Sequence, residues 1–352
     1  MPPWSALPNR PNGRAILLQC LSPVRRDKAF VQPQMGRGFA SPRPDHQTAS
    51  AGTAPPRIPP MSHLVTRRTA ITGSLLAAPF VLVCPILTAV GAGLGDRLRA
   101  LETRRGGRLG AAVIDTANGA SATHRADERF AMCSTVKFLS AAEALTRVDR
   151  GEEELTRRIV VQSGDVVSHS PATARRAGQG MTVGELCEAA ITLSDSTAGN
   201  LLLGGAGGPA GLTHFARSLG DRVTRVDRPA PAMAATSLDD PRDTTSPRVM
   251  AENVRTLLLG DTLRPASRAL LTAWLVANRT GDERIRAGLP PGWRVGDKTG
   301  SGSGGECNDI AIVWPPGRAP LVLSLYYVKP GASSAVRNAV IAEAARLVVA
   351  GL

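Results

Sequence analysis

Three short groups of residues in this 352-residue chain have the types and spacing for acyl transfer on a serine. They are Ser134-Thr135-Val136-Lys137, Ser194-Asp195-Ser196 and Lys298-Thr299-Gly300. A serine hydroxyl is a poor nucleophile at neutral pH and needs a base beside it. Ser134 and Lys137 are three residues apart, so on one helix their side chains share a face. A neutral Lys137 can take the serine proton. Lys298 close by helps, because a like charge disfavours protonation of either lysine. At a helix N-terminus Ser134 also feels the positive end of the dipole, and its backbone N–H is placed to be half of an oxyanion hole. Each group alone is a weak signal. The chain, however, has 42 basic residues of which only Lys28, Lys137, Lys298 and Lys329 are lysines, and two of these four fall in the groups.

The elements that must position these residues read as strand-rich ends around a helical middle. Leu94, Leu98 and Leu101 recur at helical spacing, Leu109–Asp115 alternates as a strand, and Asn118-Gly119 is a hairpin turn. From about Ser134 to Trp274 the pattern is helical. One helix starts at Ser134 with Val136, Leu139, Ala142 and Leu145 on one face; others cover Glu185–Leu193 and Ala198–Leu203. Gly204–Gly211 reads as a glycine-rich break. It is not a phosphate loop, since no Lys-Ser/Thr follows it. Pro229–Pro247 reads as a long irregular stretch, the kind that usually has a function. Ile310–Trp314 and Leu321–Val328 read as strands, and Ala335–Val349 as a closing amphipathic helix. First and last segments would share one antiparallel sheet with the helical insert packed on it.

Charge and composition exclude several function classes. The net charge is +13, but residues 1–90 carry +8 of it and the rest only +5. With two tyrosines, four tryptophans and six phenylalanines there is no aromatic interleaving for single strands, so nucleic-acid binding is not expected. Cys20, Cys84, Cys133, Cys187 and Cys307 form no C-x-x-C pair and have no histidine at zinc spacing. They read as unpaired thiols, and no metal, nucleotide or organic cofactor is implied.

Residues 1–60 are Pro-rich and aperiodic, and read as disordered or as an extended gene start with Met61 the true first residue. Residues 61–92 read as a signal peptide. Thr66-Arg67-Arg68-Thr69 precedes an apolar run from Ile71 to Val90, and the paired arginines suggest twin-arginine export and a secreted protein. Pro79 and Pro85 interrupt the run as a membrane span, and Val83 before Cys84 argues against a lipid anchor. Residues 93–352 then form the functional domain, expected to be a monomer with no stable membrane partner.

The three groups in this order resemble the class A serine β-lactamase family. The resemblance runs from about Leu94 to Leu352. It includes Arg129-Phe130-Ala131-Met132-Cys133, Met181-Thr182-Val183-Gly184-Glu185-Leu186, Thr197-Ala198-Gly199-Asn200 and Asn308-Asp309-Ile310-Ala311. It implies an α/β (α+β) fold: a five-stranded antiparallel sheet flanked by helices, plus an all-helical lobe, with the active site between. The sheet lobe would be 93–128 and 278–352, and the helical lobe 129–277. It implies a β-lactam as substrate, Ser134 as acylated nucleophile and Lys137 as its base. Ser194 would pass a proton to the leaving nitrogen, with Lys298 supplying charge nearby. Thr299, Gly300, Ser301 and Arg284 would bind the substrate carboxylate side, Ser196 the substrate amide, and His169 would stand in the pocket wall. The Ser301 N–H would complete the oxyanion hole.

One departure from the family pattern bears on the reaction. Where the family carries its deacylating glutamate, in Leu-Asp-Arg-x-Glu-Pro-Glu-Leu-Asn, this chain reads Val226-Asp227-Arg228-Pro229-Ala230-Pro231-Ala232-Met233-Ala234. The glutamate position is Ala230, and the asparagine that helps hold its water is Ala234. No glutamate lies between Glu188 and Glu252, so a shifted register supplies none. Asp227, Asp239 and Asp240 are the nearby acids that would have to substitute. The family's loop scaffold is kept in Asn200, Arg228 and Asp243. Ser196 replaces the usual asparagine. Cys187 and Cys133 match halves of disulfides that some members carry, but the partner positions are Ala141 and Gly302. The resemblance thus implies acylation with impaired deacylation. The alternatives are a sequestering acyl-serine protein with little turnover, or a non-catalytic binding module of the same fold.

Overall fold

A computed structural model describes residues 86–351 except Thr236 and Leu238, with side chains from Gly93 onward. The expectations for residues 1–60 and for most of the leader lie outside these residues. Helix α1 (Ile86–Arg105) leads into β1 (Arg108–Asp115) and β2 (Ser121–His124). A two-residue strand β3 (Phe130–Ala131) and a 3₁₀ turn, Cys133–Thr135, precede α2 (Val136–Arg150). Strands β4 (Arg158–Val160) and β5 (Gly180–Thr182) form a small ladder before α3 (Val183–Thr192), α4 (Ser196–Gly205) and α5 (Gly208–Ser218). Strand β6 (Thr244–Thr245) pairs with β3, followed by α6 (Pro247–Leu259) and α7 (Pro265–Val276). The chain ends with β7 (Arg294–Ser301), β8 (Glu306–Trp314), β9 (Leu321–Val328) and α8 (Ser334–Val349).

The main sheet has the order β2-β1-β9-β8-β7, every pair antiparallel, so the first and last segments do share it. The period-two alternation of β9 sorts its side chains onto two faces. Val322, Tyr326 and Val328 join the core under the helical lobe, while Leu321, Leu323, Leu325 and Tyr327 join the core under α1 and α8. On that second face Leu94, Leu98 and Leu101 of α1 meet Val340 and Ile341 of α8, as the helical spacing requires. Helix α2 is the axis of the other lobe: every residue from Val136 to Thr146 is buried. A helix buried all round needs small residues where neighbours approach closely, and Ala141, Ala142 and Ala144 provide them.

Several elements differ from the expectations. The helix of the nucleophile begins at Val136 rather than Ser134, because Cys133 takes a left-handed backbone (φ 48°) and tightens the preceding turn to 3₁₀. The glycine-rich break is shorter than the stretch that announces it: α4 runs to Gly205 and α5 starts at Gly208. Gly207 at φ 85° makes the corner that Ala206 alone could not. Strand β7, which carries Lys298-Thr299-Gly300, has no apolar alternation to announce it. Its interior reads Gly-Asp-Lys-Thr-Gly, yet all five residues are buried.

Candidate active site

The nucleophile turn is fixed from two sides. Thr135 Oγ1 donates to Met132 O at 2.8 Å and lies 3.1 Å from the Tyr326 hydroxyl, so the sheet core holds the turn. Asn308 Nδ2, from β8, donates to Ala131 O at 2.8 Å and Met132 O at 3.2 Å. Strand β7 passes so close that a Cβ on Gly300 would stand 2.7 Å from Met132 O. Ser134 is half-buried at the floor of a pocket of about 290 Å³, which Ser194, Ser196, His169, Thr299, Gly300 and Ser301 also line.

The middle group works by alternation. Asp195 is fully buried and turned away from the pocket. Its carboxylate caps α4 by accepting from Ala198 N at 2.9 Å. It also accepts from Ala172 N and Thr173 N at 2.9 Å each and from Thr173 Oγ1 at 2.8 Å. With Asp195 anchored, Ser194 and Ser196 face the lysines. Lys137 Nζ donates to Ser194 O at 2.5 Å and reaches Ser196 Oγ at 3.3 Å and Ser194 Oγ at 3.5 Å. Lys298 Nζ donates to Ser194 Oγ at 3.0 Å and to Thr299 O at 2.8 Å. The three groups, distant in sequence, thus meet at one hydroxyl.

Burial of both ammonium groups sets their chemistry. Lys137, 2% exposed, is pushed down to about 8 by loss of hydration, with Asp195 pulling weakly the other way. Lys298, wholly buried, is pushed well below the ordinary lysine range by burial and then by the charge of Lys137. The arrangement can therefore hold a neutral amine near Ser134 at neutral pH. Behind Lys298 lies a buried acid pair. Asp297 accepts from Arg286 Nε at 2.6 Å and from Asn278 Nδ2 at 2.5 Å, and Asp309 accepts from Ile285 N at 3.1 Å. Burial and the neighbouring Asp297 charge push Asp309 well above its ordinary value, which favours its protonated form.

This has a measurable consequence for stability. A carboxyl raised in the folded state stabilises fully below its unfolded value, roughly 3.9, and loses that contribution as pH rises toward the folded value. Asp309→Asn keeps the shape without the proton requirement. It is expected to equal or exceed the parent in stability at pH 8 and to compare less favourably at pH 5, by urea unfolding. A variant that is worse at pH 8 than at pH 5 would mean that Asp309 is ionised.

The loop over the pocket is braced as a rigid strap. Asn200 clamps the Ala230 backbone, its Nδ2 donating to Ala230 O and its Oδ1 accepting from Ala230 N, both at 2.8 Å. Arg228 Nε donates to Asp243 Oδ2 at 2.6 Å, and Asp243 Oδ1 accepts from Asp227 N and Arg228 N at 2.7 and 2.9 Å. The Ala230-Pro231 peptide is cis. Far from being irregular throughout, this stretch holds a 3₁₀ turn at Ala232–Ala234, and Ser303 N donates to Ala234 O at 3.0 Å.

Arg284 lines the pocket with its guanidinium already hydrogen-bonded to the fold. Its Nε donates to Asn338, its Nη1 to the Gly300 and Asn308 carbonyls, and its Nη2 to Ser301 Oγ at 2.7 Å. It stands in the pocket wall beside the Ser301 hydroxyl. None of the candidate substitute acids lines the pocket. Asp227 is paired with Arg225 at 2.5 Å, Asp240 with Arg242 at 2.9 Å, and Asp239 faces a separate cleft with Arg108 and Arg129. Among the described residues the pocket wall holds no carboxylate at all.

The structure also adds residues that sequence reasoning missed. Thr280 lines the pocket with its Oγ1 2.5 Å from Thr299 Oγ1. Cys133, Ser194 and His169 all have left-handed backbones, at φ 48°, 54° and 59°, which non-glycine residues adopt at a cost of roughly 1–3 kcal/mol each. Ser196 N donates to His169 O at 2.9 Å, which ties this exposed residue to the middle group. Cys133, Cys187 and Cys307 are free and buried. A Cβ on Gly302 would lie 2.9 Å from Cys133 Sγ, so that thiol faces the position where the family's partner cysteine would stand. Among the described residues no group of acids, cysteines and histidines is placed to hold a metal ion.

The comparisons with known proteins agree with this geometry. A family model described as the Beta-lactamase enzyme family matches residues 93–352. Beta-lactamase OXY-2 of Klebsiella oxytoca is 45% identical over 276 residues, covering 78% of this chain and 95% of that protein. Beta-lactamase CTX-M-8 of Citrobacter amalonaticus is 43% identical over 291 residues, 83% of this chain and 99% of its own. Among solved structures, an ancestral class A β-lactamase superposes with a TM-score of 0.73 at 59% identity, covering 74% of this chain and all of that one.

Proposed function

The chain belongs to the class A serine β-lactamase family, and from that premise we propose that it opens β-lactams quickly and releases the product slowly. In the first half-reaction Ser134 Oγ attacks the lactam carbonyl as neutral Lys137 takes its proton. The backbone N–H groups of Ser134 and Ser301 hold the oxyanion, for which β7 is suited as the edge strand of the sheet. Ser194, which accepts from Lys298 at 3.0 Å, gives its proton to the departing nitrogen and is reprotonated from the lysines. Hydroxyls of Thr280, Thr299 and Ser301, with the charges of Lys298 and Arg284 behind them, receive the substrate carboxylate. Ser196 reaches the substrate amide less fully than the usual asparagine would, and His169 bounds the entrance. Asn200, Arg228 and Asp243 hold the strap in place.

The second half-reaction needs a base for water. The observation that carries this reading is a pocket lined by Ser134, Ser194 and Ser196, with both lysines hydrogen-bonded to Ser194 behind them, but no carboxylate in its wall. A general base contributes about 10²–10⁴-fold, so hydrolysis of the acyl-enzyme slows while acylation is spared. Intact-mass spectrometry after mixing with a penicillin is expected to show one acyl adduct persisting at steady state, and a chromogenic cephalosporin a one-equivalent burst. Rapid return to the unmodified mass, with no adduct during turnover, would defeat the proposal.

Export by the twin-arginine route is part of the same reading. It is supported by Arg67-Arg68 before an apolar run, and by free buried thiols that need no oxidising folding. Replacing both arginines with lysine is expected to retain the protein inside the cell on fractionation. Unchanged release would remove the proposal.

A further inference from the structure

The site has lost its proton route to water but keeps a complete one to nitrogen. Lys137 on α2, Ser194 at the α3–α4 turn and Lys298 on β7 are joined by hydrogen bonds of which none involves the strap that carries Ala230 and Ala234. Ser194 Oγ accepts from Lys298 Nζ at 3.0 Å and lies 3.5 Å from Lys137 Nζ. In both contacts the lysine is the donor, which leaves the serine's own proton for the pocket. The left-handed backbone of Ser194 (φ 54°) is held by the Asp195 cap and keeps this hydroxyl in the pocket wall.

In acylation that proton goes to the nitrogen leaving the acyl carbon. A step retraces in reverse, so the same hydroxyl can take a proton from a nitrogen arriving at that carbon. An amine attacks with its own lone pair and sheds a proton afterwards, whereas water needs a base during the attack. The pocket also prepares an amine. Burial and the charge of Lys137 push Lys298 well below the ordinary lysine range, and a second amine seated beside it is held neutral by the same two effects. The nitrogen of a β-lactam antibiotic is bonded to the carbon that bears its carboxylate, so the leaving group has the N–C–COO⁻ pattern of an α-amino acid. The seat for that carboxylate is intact. Thr280 and Thr299 line the pocket, and Arg284 Nη2 donates to Ser301 Oγ at 2.7 Å, which leaves the Ser301 proton for an anion. The pocket shares Pro231, Ala234 and Ser301 with an open shelf that Ala235, Gly302 and Ser303 continue, which gives a donor's acyl chain room.

We propose that the acyl group on Ser134 is passed to an α-amino acid: beside its lactam chemistry the protein is an acyltransferase that moves the acyl group of an acyclic ester, whose alcohol bears a carboxylate, onto nitrogen. The amine lone pair forms the C–N bond, and the C=O π pair moves onto oxygen between the Ser134 and Ser301 N–H groups. The nitrogen gives one proton to Ser194 Oγ as that hydroxyl gives its own to neutral Lys137. The carbonyl re-forms, the C–O bond to Ser134 breaks with its electron pair on Oγ, and Lys137 returns the proton there. The products are R–CO–NH–CHR′–COO⁻ and the free Ser134 hydroxyl, from the acyl ester and H₂N–CHR′–COO⁻. A penicilloyl adduct cannot take this exit, because its departed nitrogen stays tethered to the acyl group and fills the seat. An acyclic ester releases its alcohol and vacates it. A pocket wall without a carboxylate then spares the acyl group from water until the acceptor arrives.

This transfer rests on the acyl-enzyme reading above, but its test uses no lactam as donor. The glycolate ester of N-phenylacetylglycine is mixed with the protein near pH 8, with glycine or glycinamide as acceptor. Products are separated by chromatography with mass detection, against an enzyme-free control. At saturating glycine, N-phenylacetylglycylglycine is expected to exceed the free acid N-phenylacetylglycine about tenfold or more. Glycine is expected to outcompete glycinamide, although the glycinamide amine is the less basic and the more neutral of the two, because only glycine brings a carboxylate to the seat. The double change Ala230→Glu and Ala234→Asn is expected to turn the products toward the free acid. Free acid alone, or glycinamide used as well as glycine, overturns the proposal. So does an ester that fails to acylate Ser134 in protein that a penicillin acylates. Failure of the acyl-enzyme reading is separate: it would appear as no persisting penicilloyl adduct, whatever the ester yields.

Discussion

Replacing Ala230 with glutamate and Ala234 with asparagine together is expected to accelerate acyl-enzyme hydrolysis by about 10²–10⁴-fold, or roughly 3–5 kcal/mol of barrier. The expectation rests on the strap, which is already in place for a side chain it no longer has. Asn200 holds the Ala230 N–H and C=O at 2.8 Å each, so the direction of any longer side chain at 230 is set before substitution. Arg228 and Asp243 close the loop at 2.6 Å, and Ser303 holds Ala234 O at 3.0 Å. The pocket of about 290 Å³ that Ala230 lines leaves room for a carboxylate. Single-turnover decay of the penicilloyl adduct by intact mass is the measurement, with stopped-flow acylation as the control that should change little. If decay does not change, the missing base is not the limitation, and Ser196 in place of the asparagine becomes the first residue to restore.

The parts of this site that were legible are those that depend on spacing along one element. Ser134 and Lys137 are readable as a pair because three residues bring side chains onto one face, and Lys298 because lysine is so scarce here. The strap was legible from the scaffold residues Asn200, Arg228 and Asp243. Residues whose part depends on the far side of the fold were not. Strand β7 was hidden because Asp297, paired with Arg286, and Lys298, hydrogen-bonded to Ser194, replace the apolar residues a buried strand should show. Thr280 is an ordinary threonine until Thr299 lies 2.5 Å away. Arg284 was found by spacing, but its donors turn out to be spent on Gly300, Asn308, Asn338 and Ser301. The left-handed backbones at Cys133, Ser194 and His169 carry no glycine or asparagine to announce them. At Ser194 and His169 they persist because capping by Asp195 and the Ser196–His169 bond over-determine the turns, and at Cys133 because Asn308 holds the carbonyls of Ala131 and Met132.

Gly300→Ala should cost acylation about 10²-fold while leaving the fold intact. The glycine is not there for a special backbone conformation, since its φ is not positive. It is there for proximity: an added methyl would sit 2.7 Å from Met132 O and 3.2 Å from Thr135 Cγ2, both in the turn that carries Ser134. Backbone oxygen cannot swing aside as a flexible side chain can, so either β7 or the nucleophile turn must move. The turn is pinned by Tyr326 and Asn308, and β7 is an edge strand, so β7 gives way. That displaces Thr299 and the Ser301 N–H from Ser134. A misplacement of about 1 Å at a reacting centre costs about 10²-fold, whereas the overpacking itself costs only about 1–3 kcal/mol of stability. Stopped-flow acylation and thermal unfolding separate the two effects. Acylation at the parental rate in a folded Gly300→Ala protein would mean that the close approach of strand and turn does not position the oxyanion hole.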